Sequence, residues 1–188
     1  AGRVTLNGKE LPPLPPSQVI RRGLALVSED RRRYGLILDE SIGFNLSLSS
    51  LGATSRLIDS NKEFKTNHAI FQSLRVKAPN MEAVVGKLSG GNQQKVVLGK
   101  ALLAGPRVIF LDEPTRGIDV GAKLEIYEII NQLTDEGKAV VLVSSELPEL
   151  LGMSDRILML HEGHVGGTFQ RDEATQERLM RAALGTAA

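Results

Sequence analysis

Leu88-Ser89-Gly90-Gly91-Asn92-Gln93-Gln94 and, twenty residues further on from start to start, Val108-Ile109-Phe110-Leu111-Asp112-Glu113-Pro114 are the most informative parts of this 188-residue chain. In the first, paired glycines let the backbone approach a ligand closely. Val96, Val97, Ala101 and Leu102 continue the segment as a helix. The unpaired N–H groups and positive dipole end of such a helix face whatever lies before Ser89, an arrangement that favours a phosphate. The second segment reads as a buried strand ending in two carboxylates, at the sheet end where open α/β sheets hold ligands. Adjacent carboxylates alternate across a strand and so divide their work: one holds Mg²⁺ through water, the other orients or deprotonates a water. A loop of the form G-x-x-x-x-G-K-[ST] normally completes this chemistry. Gly-Lys pairs occur at Gly8, Gly86, Gly99 and Gly137, but the positions five residues earlier are Arg3, Met81, Gln94 and Gln132, so this sequence contains no such loop.

The balance of 23 basic and 22 acidic residues gives a net charge of +1, which argues against a nucleic-acid groove or an anionic membrane as partner. With no cysteine there is no disulfide framework and no thiolate metal site. No apolar run approaches the roughly 18 residues that span a bilayer, so a membrane role would run through a partner.

Val4 and Leu6 alternate ahead of Asn7-Gly8, which predicts an antiparallel hairpin at the start. Four prolines at positions 12, 13, 15 and 16 interrupt regular structure, and a helix of some six residues is expected from Ser17. Residues 23–27 fit a buried strand leading to Ser28-Glu29-Asp30 and to Arg31, Arg32 and Arg33, a charged loop suited to a working site. A helical lobe follows over residues 42–87, with Asp59 or Ser60 as N-cap and Phe64, His68, Phe71 and Leu74 on one face. Beyond Gly105-Pro106 the pattern becomes βαβ-like: strands at 108–111, 139–143 and 157–160 alternate with a helix over 123–133 that Gly137 ends. Strands apolar on both faces predict a parallel sheet covered by helices. His161 and His164 read as surface residues in a turn with Glu162-Gly163, and residues 172–184 as one amphipathic helix.

These motifs resemble the signature and Walker B motifs of ATP-binding cassette (ABC) ATPases. The resemblance extends to residues 27–33, 88–95 and 112–122, the last reading D-E-P-T-R-G-I-D-V-G-A. Val143-Ser144-Ser145-Glu146 and residues 152–157 add to it. More narrowly, the chain is similar to the C-terminal ATPase half of the fused subunit that drives bacterial monosaccharide importers of the ribose, galactose and xylose type. The resemblance implies an α/β fold with a parallel-sheet P-loop NTPase-like core lacking its phosphate-loop strand, a helical signature subdomain and an N-terminal antiparallel hairpin. It divides the chain into a hairpin and partial core (1–40), a helical subdomain ending in the signature helix (41–104), and an α/β core with the Walker B strand (105–188).

In that family two halves enclose two ATP molecules, each lying between the phosphate loop of one half and the signature of the other. The resemblance thus implies that Ser89, Gly90, Gly91 and Gln93 serve nucleotide held by the opposite half. It makes Asp112 the Mg²⁺-side carboxylate and Glu113 the catalytic base, and places Glu29, Asp119 and Ser145 around the same nucleotide sites. Glu29 and Ser145 stand where the family usually has glutamine and histidine; an acid there repels a γ-phosphate unless Mg²⁺ or a basic neighbour screens it. The implied cofactors are ATP and Mg²⁺. The implied partners are the other ATPase half, the permease subunits, which dock near residues 34–44, and indirectly an external sugar-binding protein, with the chain on the cytoplasmic face of the membrane.

The same resemblance implies a chain that begins just after the phosphate-loop helix, inactive alone, with an empty sheet position beside the Val108 strand through which it self-associates. The other reading is a degenerate regulatory and docking half that only completes its partner's site.

Overall fold

The computed structural model describes residues 2–49 and 59–186, so part of the expected helical lobe, residues 50–58, lies outside the described residues. The chain divides into two units, Ala1–Val141 and Leu142–Ala188.

The first unit opens with β1 (Val4–Leu6) and β2 (Lys9–Leu11), paired antiparallel with Leu6 opposite Lys9. Asn7 and Gly8 both take positive φ, 51° and 73°, the backbone of the two-residue turn that suits the twist of a hairpin. Helix α1 (Pro16–Arg21) begins one residue before the expected start, because the fixed φ of Pro16 suits a first helical position, where no N–H is needed. β3 (Leu24–Val27) pairs in parallel with β4 (Val108–Asp112), Leu24 beside Val108 and Val27 beside Leu111. With β5 (Ala139–Val143) the sheet order is β3-β4-β5.

This order corrects the expected gap beside the Val108 strand: β4 is the middle strand, flanked on both sides, and the outer strands are β3 and β5. The expectation of strands buried on both faces also fails for those outer strands. Leu26 is 68% exposed, Val141 41% and Val143 50%, whereas Ile109 and Leu111 of β4 are almost wholly buried. An apolar strand pattern reports affinity for a covered surface; β3 has one on the face of Ala25 and Val27, whereas β4 keeps its second face half-buried as well.

Helix α2 (Ile42–Ser47) is capped by Ser41, whose Oγ accepts from the Phe44 N–H. Buried Asn45 accepts from the Ile37 N–H and donates to the carbonyls of Ile37 and Ser41, pinning the loop before the helix. In α3 (Ser60–Ser73) Asp59 is the N-cap, as expected. Its inward face runs through Asn67, Phe71 and the capping Leu74; Phe64 and His68 are exposed and stack on each other at 5.9 Å, so the buried stripe is rotated from the expected one. A short 3-10 turn (Val85–Lys87) leads into α4 (Gly90–Leu103), which is buried over much of its length among Leu46, Leu74 and Val85. α5 (Val120–Asp135) ends as predicted at Gly137, φ 81°: the Lys138 N–H returns to the Leu133 carbonyl and the Gly137 N–H to Thr134, satisfying carbonyls the ladder leaves open.

In the second unit, α6 (Leu147–Met153) is followed by β6 (Arg156–His161) and β7 (His164–Gln170), an antiparallel pair with His161 opposite His164. The segment expected as a third parallel strand therefore belongs to a hairpin, closed by Glu162 and Gly163 at φ 46° and 80°. Alternating apolar residues reveal a strand but not its partner. β7 escaped sequence reading because Gly166-Gly167 interrupt its apolar pattern; at Gly166 a Cβ would lie 2.4 Å from the Ala182 carbonyl oxygen. Helix α7 (Gln176–Ala183) is shorter than expected, since residues 171–173 form a turn and Thr175 is the cap. Ile157, Phe169, Leu179 and Ala182 form the core of this unit. His164 is exposed as predicted, but His161 is half-buried, its Nδ1 donating to the Ala183 carbonyl at 2.8 Å.

Candidate functional site

Ser89 is the N-cap of α4, extended at φ −61° and ψ 157°, and its Oγ accepts from the Asn92 side chain at 2.9 Å. The first rung of the helix ladder is the Gln93 N–H to the Ser89 carbonyl, which leaves the amides of residues 90–92 ahead of the ladder. The glycines have a packing reason that sequence reading missed. A Cβ on Gly91 would lie 2.4 Å from Ala122 Cβ, and one on Gly90 would lie 2.8 Å from Arg31 Nη2 and 3.1 Å from the Gly117 oxygen. Only a bare backbone fits between α5 and the loop of residues 116–118. Gln93 faces inward, 2% exposed, its Nε2 donating to the Val85 carbonyl at 3.2 Å, and does not join the exposed end of the helix.

Because Val27 pairs with Leu111, β3 and β4 end side by side, and Glu29 and Glu113 each follow by two residues from the same sheet end. Asp112 is half-buried there. Glu113 adopts φ 47°, a left-handed conformation that disfavours a side chain and that recurs at working sites. Buried Pro114 and Thr115 anchor the turn, and the Arg116 N–H bonds the Glu113 carbonyl at 3.1 Å. Glu29 pairs with the Arg116 guanidinium, so the basic neighbour that an acid at this position requires is present. Arg31 reaches the same loop, donating to the carbonyls of Arg116 at 3.1 Å and Gly117 at 3.4 Å. Burial, and secondly Arg32, lower the Arg31 pKa from its ordinary value.

Asp119 caps α5, its Oδ1 accepting from the Ala122 N–H at 3.0 Å. Gly91 touches Ala122 and, one turn along, Lys95 pairs with Glu125 at 2.6 Å, so α4 and α5 advance in the same direction with their starts abreast. Lys95 is 1% exposed and also donates to the Arg75 carbonyl at 2.9 Å. Lys77 takes the other Glu125 oxygen at 2.7 Å while its N–H donates to Asn92. Hydrogen bonds from Lys77 and then Lys95 pull the Glu125 carboxyl down to about 2, and the same contact raises Lys77. Arg116, Lys95 and Glu125 carried no signal by spacing, their ion-pair partners lying between 30 and 87 residues away. Ser145 belongs to the second unit, where it is exposed in the turn between β5 and α6.

Among the described residues no cluster of three or more His, Cys, Asp or Glu side chains is placed to enclose a metal ion. Mg²⁺ keeps several waters and takes only one or two carboxylates besides phosphate oxygens, a demand that the adjacent Asp112 and Glu113 at the end of β4 can meet. Separately, a cleft of about 520 Å³ lies between α1, β3 and α4, lined by Leu26, Tyr34, Leu48, Val97 and Lys100 among others.

Comparison with known proteins gives the family and the fold. The family model described as ABC transporter matches residues 1–116. The xylose import ATP-binding protein of Moorella thermoacetica is 52% identical over 185 residues, covering 98% of this chain and 37% of that protein. The ribose import ATP-binding protein of Bacillus cereus is 50% identical over 187 residues, covering 98% and 38%. The chain thus spans less than two-fifths of the length of these relatives. Among solved structures, the ATP-binding cassette MJ1267 of an ABC transporter superposes with a TM-score of 0.84 at 18% identity, covering all of this chain and 77% of the other. A dimeric cassette, MJ0796 bound to ADP and Pi, gives 0.76 at 20% identity, covering 91% and 74%. These likenesses establish a shared fold. Signature helix, carboxylate strand and relatives agree that this chain belongs to the ABC transporter family, as an ATPase domain matching the C-terminal half of xylose and ribose import ATP-binding proteins.

Proposed function

We propose that this chain is the C-terminal ATPase half of a subunit that powers import of a monosaccharide across a bacterial inner membrane. The observation that carries the reading is the abreast start of α4 and α5 beside the loop that bears Asp112 and Glu113. Ser89 with the amides of Gly90 and Gly91 binds the terminal phosphate of ATP held by the opposite half; buried Gln93 supports the helix behind them. Asp112 would hold Mg²⁺ through water, and Glu113 accepts the proton of the attacking water at its carboxylate. Mg²⁺ supplies charge neutralisation on the phosphates when bound. Glu29, screened by Arg116, lines the same end of the sheet, Asp119 fixes the start of α5, and Ser145 takes the position the family gives to histidine.

Partners in this reading are the other ATPase half, permease subunits and, through them, an external sugar-binding protein, with the subunit on the cytoplasmic face. No described helix is long and apolar enough to cross a membrane; attachment in this reading is by docking on the permease. The apolar cleft with Leu26 and Tyr34, 68% and 66% exposed, is the surface suited to the permease. By itself the chain would bind Mg-ATP weakly, because its sequence contains no phosphate loop. Ser89→Arg in the full-length protein tests the assignment: ATP turnover is expected to fall on the order of 10²–10³-fold, by analogy with loss of one preorganised oxyanion donor. Full turnover in that variant would overturn it.

A further inference from the structure

Arg31 belongs to neither motif, yet its guanidinium touches the surroundings of both. Nη1 and Nη2 donate to the carbonyls of Arg116 and Gly117, at 3.1 and 3.4 Å, across 85 and 86 residues of sequence. Nη2 also lies against Gly90, so close that a Cβ there would sit 2.8 Å away. Its Nε is buried and finds no hydrogen-bond partner among the described residues. The group therefore fills the junction of three segments: the short helical turn of residues 31–35 that follows β3, the start of α4 and the loop that follows Glu113. Arg116, whose carbonyl Arg31 holds, reaches back with its own side chain to Glu29. Two loops far apart in sequence are clasped twice, in opposite senses.

An exposed ion pair by itself contributes little to stability. A planar fork that holds two consecutive carbonyls and packs on a glycine acts differently, because it fixes relative position. Lysine, a single point donor on a flexible stem, cannot reproduce it. We propose that Arg31 is a positioning residue for ATP turnover: it sets the start of α4 against the loop after Glu113, so that signature amides and catalytic carboxylate keep one register. The inference rests on the proposed function above.

The test uses the full-length, membrane-assembled protein. Arg31→Lys is expected to lower kcat for ATP about tenfold, the order expected for lost charge-assisted hydrogen bonds. KM for ATP should stay within about twofold, since Arg31 holds the carbonyls of Arg116 and Gly117 and packs on Gly90, contacts that bear on the geometry of turnover rather than on ground-state binding. Tm should stay within roughly 2 °C. Arg31→Met, which keeps the stem and loses the fork, should behave alike. Unchanged kcat in both variants, or a loss of kcat matched by a Tm drop of more than roughly 5 °C in both, would overturn the proposal. Ser89→Arg separates the two failures. If it loses turnover while both Arg31 variants keep theirs, the positioning role fails and the functional assignment stands; if all three keep full turnover, the assignment fails with it.

Discussion

At the scale of single residues, Glu125 is held by Lys77 at 2.7 Å and by buried Lys95 at 2.6 Å, a geometry that ties the end of α3, α4 and α5 together. Its folded-state carboxyl lies at about 2 against an ordinary value of 4.5. A depressed acid stabilises the fold fully above its unfolded pKa and loses that contribution as pH falls toward its folded value. The urea midpoint difference between the protein and its Glu125→Gln variant should therefore be constant at neutral pH. It should shrink between 4.5 and about 2. A difference that persists undiminished to the acid end of that window would show that the contacts, and not the charge, do the stabilising. On the lysine side the sign is reversed: Lys77 is raised, so its share of the pairing persists until pH passes its elevated value. Lys95 could not be singled out from sequence, because a lysine at the sixth position of a helical segment reads as solvated until Glu125, thirty residues on, is seen against it.

At the scale of elements, the contact of α4 with α5 gives a sharper reason for the signature glycines than ligand approach alone. Gly91→Ala would place a methyl group 2.4 Å from Ala122 Cβ. Overpacking of this kind costs about 2 kcal/mol. Ala122→Gly, combined with it, should restore most of the loss, and chemical denaturation of the two single variants and the double variant would show the coupling. The hairpin at Asn7-Gly8, the Asp59 cap, the β4 strand and the Gly137 stop were legible because each depends on chemistry within a few residues. The pairing of Ile157–Leu160 with β7 and the rotated face of α3 were not, because they depend on which surface covers them. The same division holds at the site. Ser89, Asp112 and Glu113 stand out by motif, whereas the Glu29–Arg116 and Arg31–Gly117 contacts join loops whose proximity exists only once β3 lies beside β4.

At the scale of the molecule, β5 is an outer strand of the three-stranded sheet, with Val141 and Val143 41% and 50% exposed. An apolar outer strand is a template for another strand. Light scattering of this chain at micromolar concentration should show species larger than a monomer, and Val141→Lys should shift them toward monomer; a clean monomer without the substitution would refute the expectation. The backbone of Glu113 carries a different lesson for the chain as a whole. An L-residue held at φ 47° costs about 1 kcal/mol that a glycine would not. Any laboratory evolution that rewards heat resistance alone would thus drift toward glycine at this position, and under the function proposed above the hardiest descendants would be those that had forgotten how to turn over ATP.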